Sequence, residues 1–277
     1  METPGTASHQ TRKFAVGIAR AFGGALIFSL PLLMTMEMWS LGFTMDRARL
    51  VLLVAVELPL LVGLAHFSGF EETSGMLDAT VDAFAAFGVA FVTAAAALWL
   101  FGVVRLDMSA DEIVGKVTLQ AVTGSIGALL AQSQLGRVEE EGRKRRDAGR
   151  LGEYFFMAVG ALFLAANVAP TEEMVLIAHK MSDGAVLALA LISVGCMHAF
   201  VFAVEFRGQE TLPPGTPFWS AFIRFTVLGY VIALGISAYV LWTFGRFDGT
   251  APAQVMKQTM VLGFPAAVGA AAARLIL

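Results

Sequence analysis

Residues 81–104 read VDAFAAFGVAFVTAAAALWLFGVV and contain a single charge, Asp82. About 20 mainly apolar residues are enough for a helix to cross the hydrocarbon core of a bilayer. The run is too long for a strand, lacks period-two alternation, and carries the Ala, Leu and Gly of membrane helices. Seven further stretches of the same kind follow along the chain, at 15–43, 49–67, 113–134, 154–178, 184–204, 218–244 and 255–276. The expected fold is an all-α polytopic membrane protein with eight transmembrane helices. Composition agrees: 57% of the 277 residues are hydrophobic, mean hydropathy is +0.72, and 15% are charged, against about a quarter in soluble domains. A net charge of −3 gives no reason to expect a nucleic-acid partner. The one cysteine, Cys196, lies inside an apolar run and reads as a small buried hydrophobe.

The end of the opening stretch recurs. Leu98-Trp99-x-Phe101-Gly102 returns as Leu241-Trp242-x-Phe244-Gly245. Gly24-Ala25-Leu26 returns as Gly160-Ala161-Leu162, and at the same offset of 136 Thr35, Glu37 and Met38 fall on Thr171, Glu173 and Met174. Val62, Gly63 and His66 match Val194, Gly195 and His198 at an offset of 132, and Lys116-x-Thr118 matches Lys257-x-Thr259. Matches in every helix pair, in the same order and with rare residues among them, indicate a tandem duplication. The boundaries are a short N-terminus (1–14), a first four-helix repeat (15–134), a charged linker (135–153) and a second four-helix repeat (154–277). An even number of spans per repeat makes the two repeats parallel, related by an axis along the membrane normal.

Orientation follows from lysine and arginine. With the N-terminus inside, twelve basic residues face the cytoplasm, six of them in the linker (Arg137, Arg143, Lys144, Arg145, Arg146 and Arg150), and seven face out. Both termini are expected in the cytoplasm, with the protein multi-pass in the cell inner membrane. The run after Arg12 and Lys13 reads as the first span and not as a removed signal peptide. The linker interleaves its basic residues with Glu139, Glu140, Glu141 and Asp147. It reads as solvated, with anionic lipid as a rival partner.

Charge inside the spans is rare. Glu37 is the only charge between Arg20 and Asp46, and Glu172 and Glu173 are the only ones between Glu153 and Lys180. A charged side chain deep in the bilayer costs about 2.5–3.5 kcal/mol on insertion scales, so such groups face a cavity or a partner. Pro31 and Pro170 precede these acids, and each proline frees a backbone carbonyl about one turn earlier. With Asn167, Thr171 and Thr35 as neutral oxygens, a cation site at the acids is one reading. The other is a structural pair, Glu37 with Lys116 and Glu173 with Lys257. His66 and His198 lie toward the cytoplasmic ends of their helices and suit a proton relay or plain interfacial bonding. Glu57, near the middle of the second span beside Pro59, reads either as an asymmetric functional acid or as a protonated hydrogen-bond donor in a packed interface. Trp99 and Trp242 read as interfacial anchors. No catalytic constellation stands out and no cofactor motif is present, so an enzyme is not expected.

The pattern Phe28-Ser29-Leu30-Pro31-Leu32-Leu33 with Thr35-x-Glu37, and Asn167 to Met174 at the matching place, resembles an uncharacterised family of bacterial integral membrane proteins of about this length. That resemblance implies a membrane location and no activity. Asn167-Val168-Ala169-Pro170-Thr171-Glu172-Glu173 also resembles the Asn-Ala-Pro-Glu core of the calcium/cation exchangers, which implies a cation bound by the acid and its neighbours. Val168 and Thr171 are insertions relative to that core, and the exchangers have inverted repeats where these are parallel. The expected function is passage of a small cation or protons along Glu37, Glu172, Glu173, Thr35, Thr171, Asn167, Glu57, His66 and His198. A homodimer would set four acids around one axis. The rival is a non-transporting membrane module that binds lipid or a partner protein.

Overall fold

The computed structural model describes residues 4–68, 75–135, 149–202, 219 and 222–276. Among these there are ten α-helices, one π-helical turn and no strand. The chain divides into two compact units, Met1–Lys144 and Arg145–Leu277. Unit 1 holds α1 (Pro4–Leu33), α2 (Met36–Thr44), α3 (Arg47–Ser68), α4 (Met76–Leu100) and α5 (Ala110–Leu135). Unit 2 holds α6 (Gly149–Val168), α7 (Glu172–Lys180), α8 (Asp183–Phe202), a π-helical turn (Phe222–Val227) running into α9 (Leu228–Thr243), and α10 (Pro252–Ile276). Residues 136–148 of the charged linker lie outside the described residues.

In unit 1, α5 is the central helix. Its apolar span is 83% buried, against 33–39% for those of α1, α3 and α4, and α1, α2, α3 and α4 all pack on it. Small residues allow this. A Cβ on Gly24 of α1 would overlap the Gly127 carbonyl and Ala131 on α5, and a Cβ on Gly127 would overlap Phe28. Helix α4 buries Ala79, Ala83, Ala86, Ala90, Ala94 and Ala97, a stripe at three- and four-residue spacing that forms one face. Lipid tails are as apolar as leucine, so close van der Waals packing must take over the role of hydrophobic drive. The outward faces keep Ile27, Val51, Val81 and Val92 about two-thirds exposed, a surface that suits hydrocarbon. In unit 2, α10 packs on α6, α7, α8 and α9, and Gly160 of α6 meets Gly269 of α10 backbone to backbone.

The recurrent Leu-Trp-x-Phe-Gly segment has a local explanation. In both copies it ends a helix with glycine in the left-handed region, Gly102 at φ 72° and Gly245 at φ 73°. Gly102 N–H donates to Trp99 O and Val103 N–H to Leu98 O; Gly245 N–H donates to Trp242 O and Arg246 N–H to Leu241 O. This is the Schellman termination, and only glycine enters it without a Cβ penalty.

One expectation needs correction and a second is matched only in part. The spans expected at 15–43 and 154–178 are each broken. Helix α1 ends at Leu33 and α2 begins at Met36, while α6 ends at Val168 and α7 begins at Glu172. Thr35 and Thr171 sit in the breaks with extended backbone. At the second break Pro170 has no N–H with which to continue the helix. The apolar spans are therefore Ala15–Leu33 and Leu151–Val168, and the acids lie beyond their ends. Secondly, seven described helices are long and apolar enough to cross a membrane, where eight were expected. The one left out is α10, whose first turns carry Lys257, Gln258 and Thr259.

Candidate functional site

The short helices α2 and α7 carry three of the four acids that the sequence singled out. Both are nine residues long, with limits 136 residues apart. Glu37 lies in the first turn of α2, and Glu172 and Glu173 in the first turn of α7. The opposite ends are held by cations. Arg47 Nη1 donates to Gly42 O at 2.9 Å and Nη2 meets Asp111 at 2.5 Å. Lys257 Nζ donates to Met181 O, at the end of α7, at 3.1 Å and pairs with Asp183 at 2.7 Å. Acid at the N-terminus and cation at the C-terminus complement the helix dipole, each worth about 0.3–1 kcal/mol at a surface. Glu37 is half-buried, and Glu172 and Glu173 are exposed. The Glu37–Lys116 and Glu173–Lys257 pairs do not form. Lys116 is buried against Glu112 at 2.6 Å, with the Phe43 ring beneath it, and Lys257 takes Asp183. The break at 34–35 moves Glu37 out of the span that would have brought it level with Lys116.

The freed carbonyls are occupied by donors. At the second break Arg246 donates to Ala169 O at 3.3 Å and to Pro170 O. At the first, Gln120 Nε2 donates to Leu32 O at 3.0 Å and Trp39 Nε1 to Leu33 O at 2.9 Å. Thr35 and Thr171 turn their hydroxyls to Pro31 O and Val168 O, and Asn167 donates to Phe163 O. A guanidinium on the carbonyls beside Glu172 and Glu173 puts a positive charge where the sequence suggested a bound cation. Asn167 Oδ1 remains a buried acceptor without a partner among the described residues.

Glu57 is different. It lies midway along the span Arg47–His66 and is wholly buried. Ser125 Oγ of α5 lies 3.4 Å from Glu57 Oε1 and 2.8 Å from Val122 O, with one hydrogen to share between them. Glu57 Oε2 has no partner among the described residues, and neither has Gln120 Oε1. No basic side chain pairs with Glu57 in any described contact. Other buried polar groups of unit 1 include Ser29, Thr93 and Thr123.

The first residues of α3 and α8, Arg47 and Asp183, keep the 136 offset. In that register Leu50, Glu57 and Leu61 fall on Val186, Ser193 and Met197, and all six are buried. The 132 offset that pairs His66 with His198 is therefore not the register of the helix starts. His66 is exposed, whereas His198 is half-buried with Nδ1 3.0 Å from Thr226 Oγ1. The sequence reading missed Gln120, Ser125 and Arg246. Gln120 and Ser125 were visible as polar residues inside the apolar run 113–134, but nothing there says which helix faces them.

Helices of this length and hydropathy, with a carboxyl enclosed midway along one of them, define a polytopic helical membrane protein. The model of the family described as "Putative integral membrane protein (DUF2391)" matches residues 17–277. The chain belongs to that family. No curated protein and no solved structure matches it.

Proposed function

We propose that the protein passes protons or a small cation across the membrane, with Glu57 as the central intramembrane group and Glu37 and Glu173 at the helix breaks as outlying acids. The burial of Glu57 carries this reading. An ionisable group midway in a membrane helix costs several times what a surface helix-dipole contact returns. It persists where it serves a pathway, and Ser125 on α5 gives it a polar neighbour. We also propose that the two units are duplicates inserted in the same direction. The constant 136 offset of α2 and α7, the shared Leu-Trp-x-Phe-Gly caps and the two glycine crossings support it. On this reading α10 is the eighth span, both termini are cytoplasmic, and the protein sits in the cell inner membrane as a homodimer.

The rival is a module that binds lipid or a partner protein. One observation favours it: the charges of α2 and α7 have structural uses at helix ends. The test is flux into proteoliposomes holding the purified chain at a set potential, with H⁺, Na⁺, K⁺ and Ca²⁺ offered in turn. Flux of one ion well above empty liposomes names the substrate. Flux of none of them transfers the reading to the binding module.

A further inference from the structure

Leu50, Leu53, Glu57, Leu61 and Leu64 recur every three or four residues along α3 and are all buried. They form one face, and α4 and α5 pack on α3. An ionised carboxyl in such a row only accepts hydrogen bonds and needs donors around it. The buried hydroxyls of unit 1 have few to give. Ser29, Thr93 and Thr123 donate to Ala25 O, Val89 O and Gln120 O of their own helices. Ser125 has one hydrogen and two acceptors, Val122 O at 2.8 Å and Glu57 Oε1 at 3.4 Å. The first distance is ordinary for O–H···O and the second is long, so the hydrogen goes to Val122 O. Ser125 Oγ then turns a lone pair toward Glu57 Oε1. Charged groups do not make up the deficit. Helix α4 brings Asp78 and Asp82, α5 brings Asp111, Glu112 and Lys116, and α3 itself carries Arg47, Arg49 and His66. Lys116 pairs with Glu112 and Arg47 with Asp111. None of these charges pairs with Glu57 in a described contact.

We propose that the ligand of the Glu57 site is a proton and not a metal cation, with Glu57 held as a neutral carboxylic acid between α3 and α5. A carboxylate oxygen would meet the Ser125 lone pair with its own, whereas a carboxylic O–H meets it as a donor. The hydrogens then run from Glu57 Oε1 to Ser125 Oγ and from Ser125 Oγ to Val122 O, a carbonyl that ends the row. Glu57 Oε2 is left as a carbonyl acceptor, and an unserved carbonyl is the cheaper of the two orphans. A divalent cation wants about six or more oxygens, and an alkali ion must regain those of its hydration shell. The described contacts of Glu57 supply one oxygen, Ser125 Oγ, and no group of three histidine, cysteine or acidic residues gathers among the described residues. The assignment narrows the proposed passage to protons and rests on that reading for its functional meaning.

The test is infrared spectroscopy of the full chain at neutral pH, in a detergent without ester groups, for wild type, Glu57→Gln and Ser125→Ala. Wild type shows a carboxylic-acid C=O band above the amide bands that moves down in D2O and is lost in Glu57→Gln. Ser125→Ala moves the band up, because the acid loses its acceptor. Added NaCl, KCl or CaCl2 leaves it unchanged. A wild type without the band overturns the proposal, and a band bleached by one of the three salts overturns it in favour of that cation. Where Glu57→Gln does not fold, Ser125→Ala replaces it, and a band that it leaves in place belongs to another carboxyl and overturns the assignment. Flux separates this result from the broader reading. A band in a protein that passes no ion keeps the proton and removes the passage, whereas proton flux without the band keeps the passage and removes the resident proton.

Discussion

Glu57 and Glu37 are the same side chain in two energetic situations. Glu37 sits in the first turn of a short helix, where the dipole favours it by about 0.3–1 kcal/mol, and its position needs no further cause. Glu57 is enclosed with one oxygen unpartnered among the described residues, and no local effect of that size offsets its burial. Glu37→Gln and Glu173→Gln are therefore expected to lower stability by no more than about 1 kcal/mol and to leave most of any flux intact. Chemical denaturation in mild detergent, read beside the flux assay, checks both. Arg246→Ala is expected to cost more, about 1–3 kcal/mol, because it strands the Ala169 and Pro170 carbonyls. Arg246→Lys should restore only part of that, since one ammonium cannot reproduce the guanidinium fork. Equal stability of Arg246→Ala and wild type would show that the break is capped by something else.

Among the elements, the glycines divide by surroundings. Gly24, Gly127, Gly160 and Gly269 lie where two backbones touch, whereas nothing lies within 4 Å of a Cβ placed on Gly23 or Gly235. Gly127→Ala and Gly269→Ala are expected to destabilise by about 1–3 kcal/mol through overpacking. Gly235→Ala, inside α9, should be neutral or stabilise by up to about 1 kcal/mol. Melting curves of the purified variants check the contrast, and a Gly269→Ala variant as stable as Gly235→Ala would contradict the crossing. Helix existence was legible because length and hydropathy alone decide it. The breaks at 34–35 and 169–171 were not, because Pro31 stays inside α1 while the chain turns three residues later. Whether a proline kinks, ends or is tolerated depends on which donor reaches the freed carbonyl. Gln120 and Arg246 come from 76 or more residues away, and no spacing in the sequence announces them.

For the whole molecule, topology depends on α10. Its 25 residues span about 37 Å at 1.5 Å per residue, enough to cross. Reporter fusions at the two ends are expected to place both termini in the cytoplasm, and a C-terminus on the opposite face would leave seven spans and remove the parallel duplication. The sequence located Glu57 but gave more weight to Glu37 and Glu173, whose places in the first turns of short helices only the structure shows. Charge counts along a chain show that a group is rare, and only packing shows which of several rare groups is enclosed. The measurement that goes straight to the central claim is ion flux in liposomes for wild type, Glu57→Gln and Glu57→Asp, with folding checked by melting. The account predicts that Glu57→Gln abolishes the flux, that Glu57→Asp keeps part of it, and that all three proteins fold. Wild-type flux in Glu57→Gln would contradict it and leave Glu57 a buried structural residue.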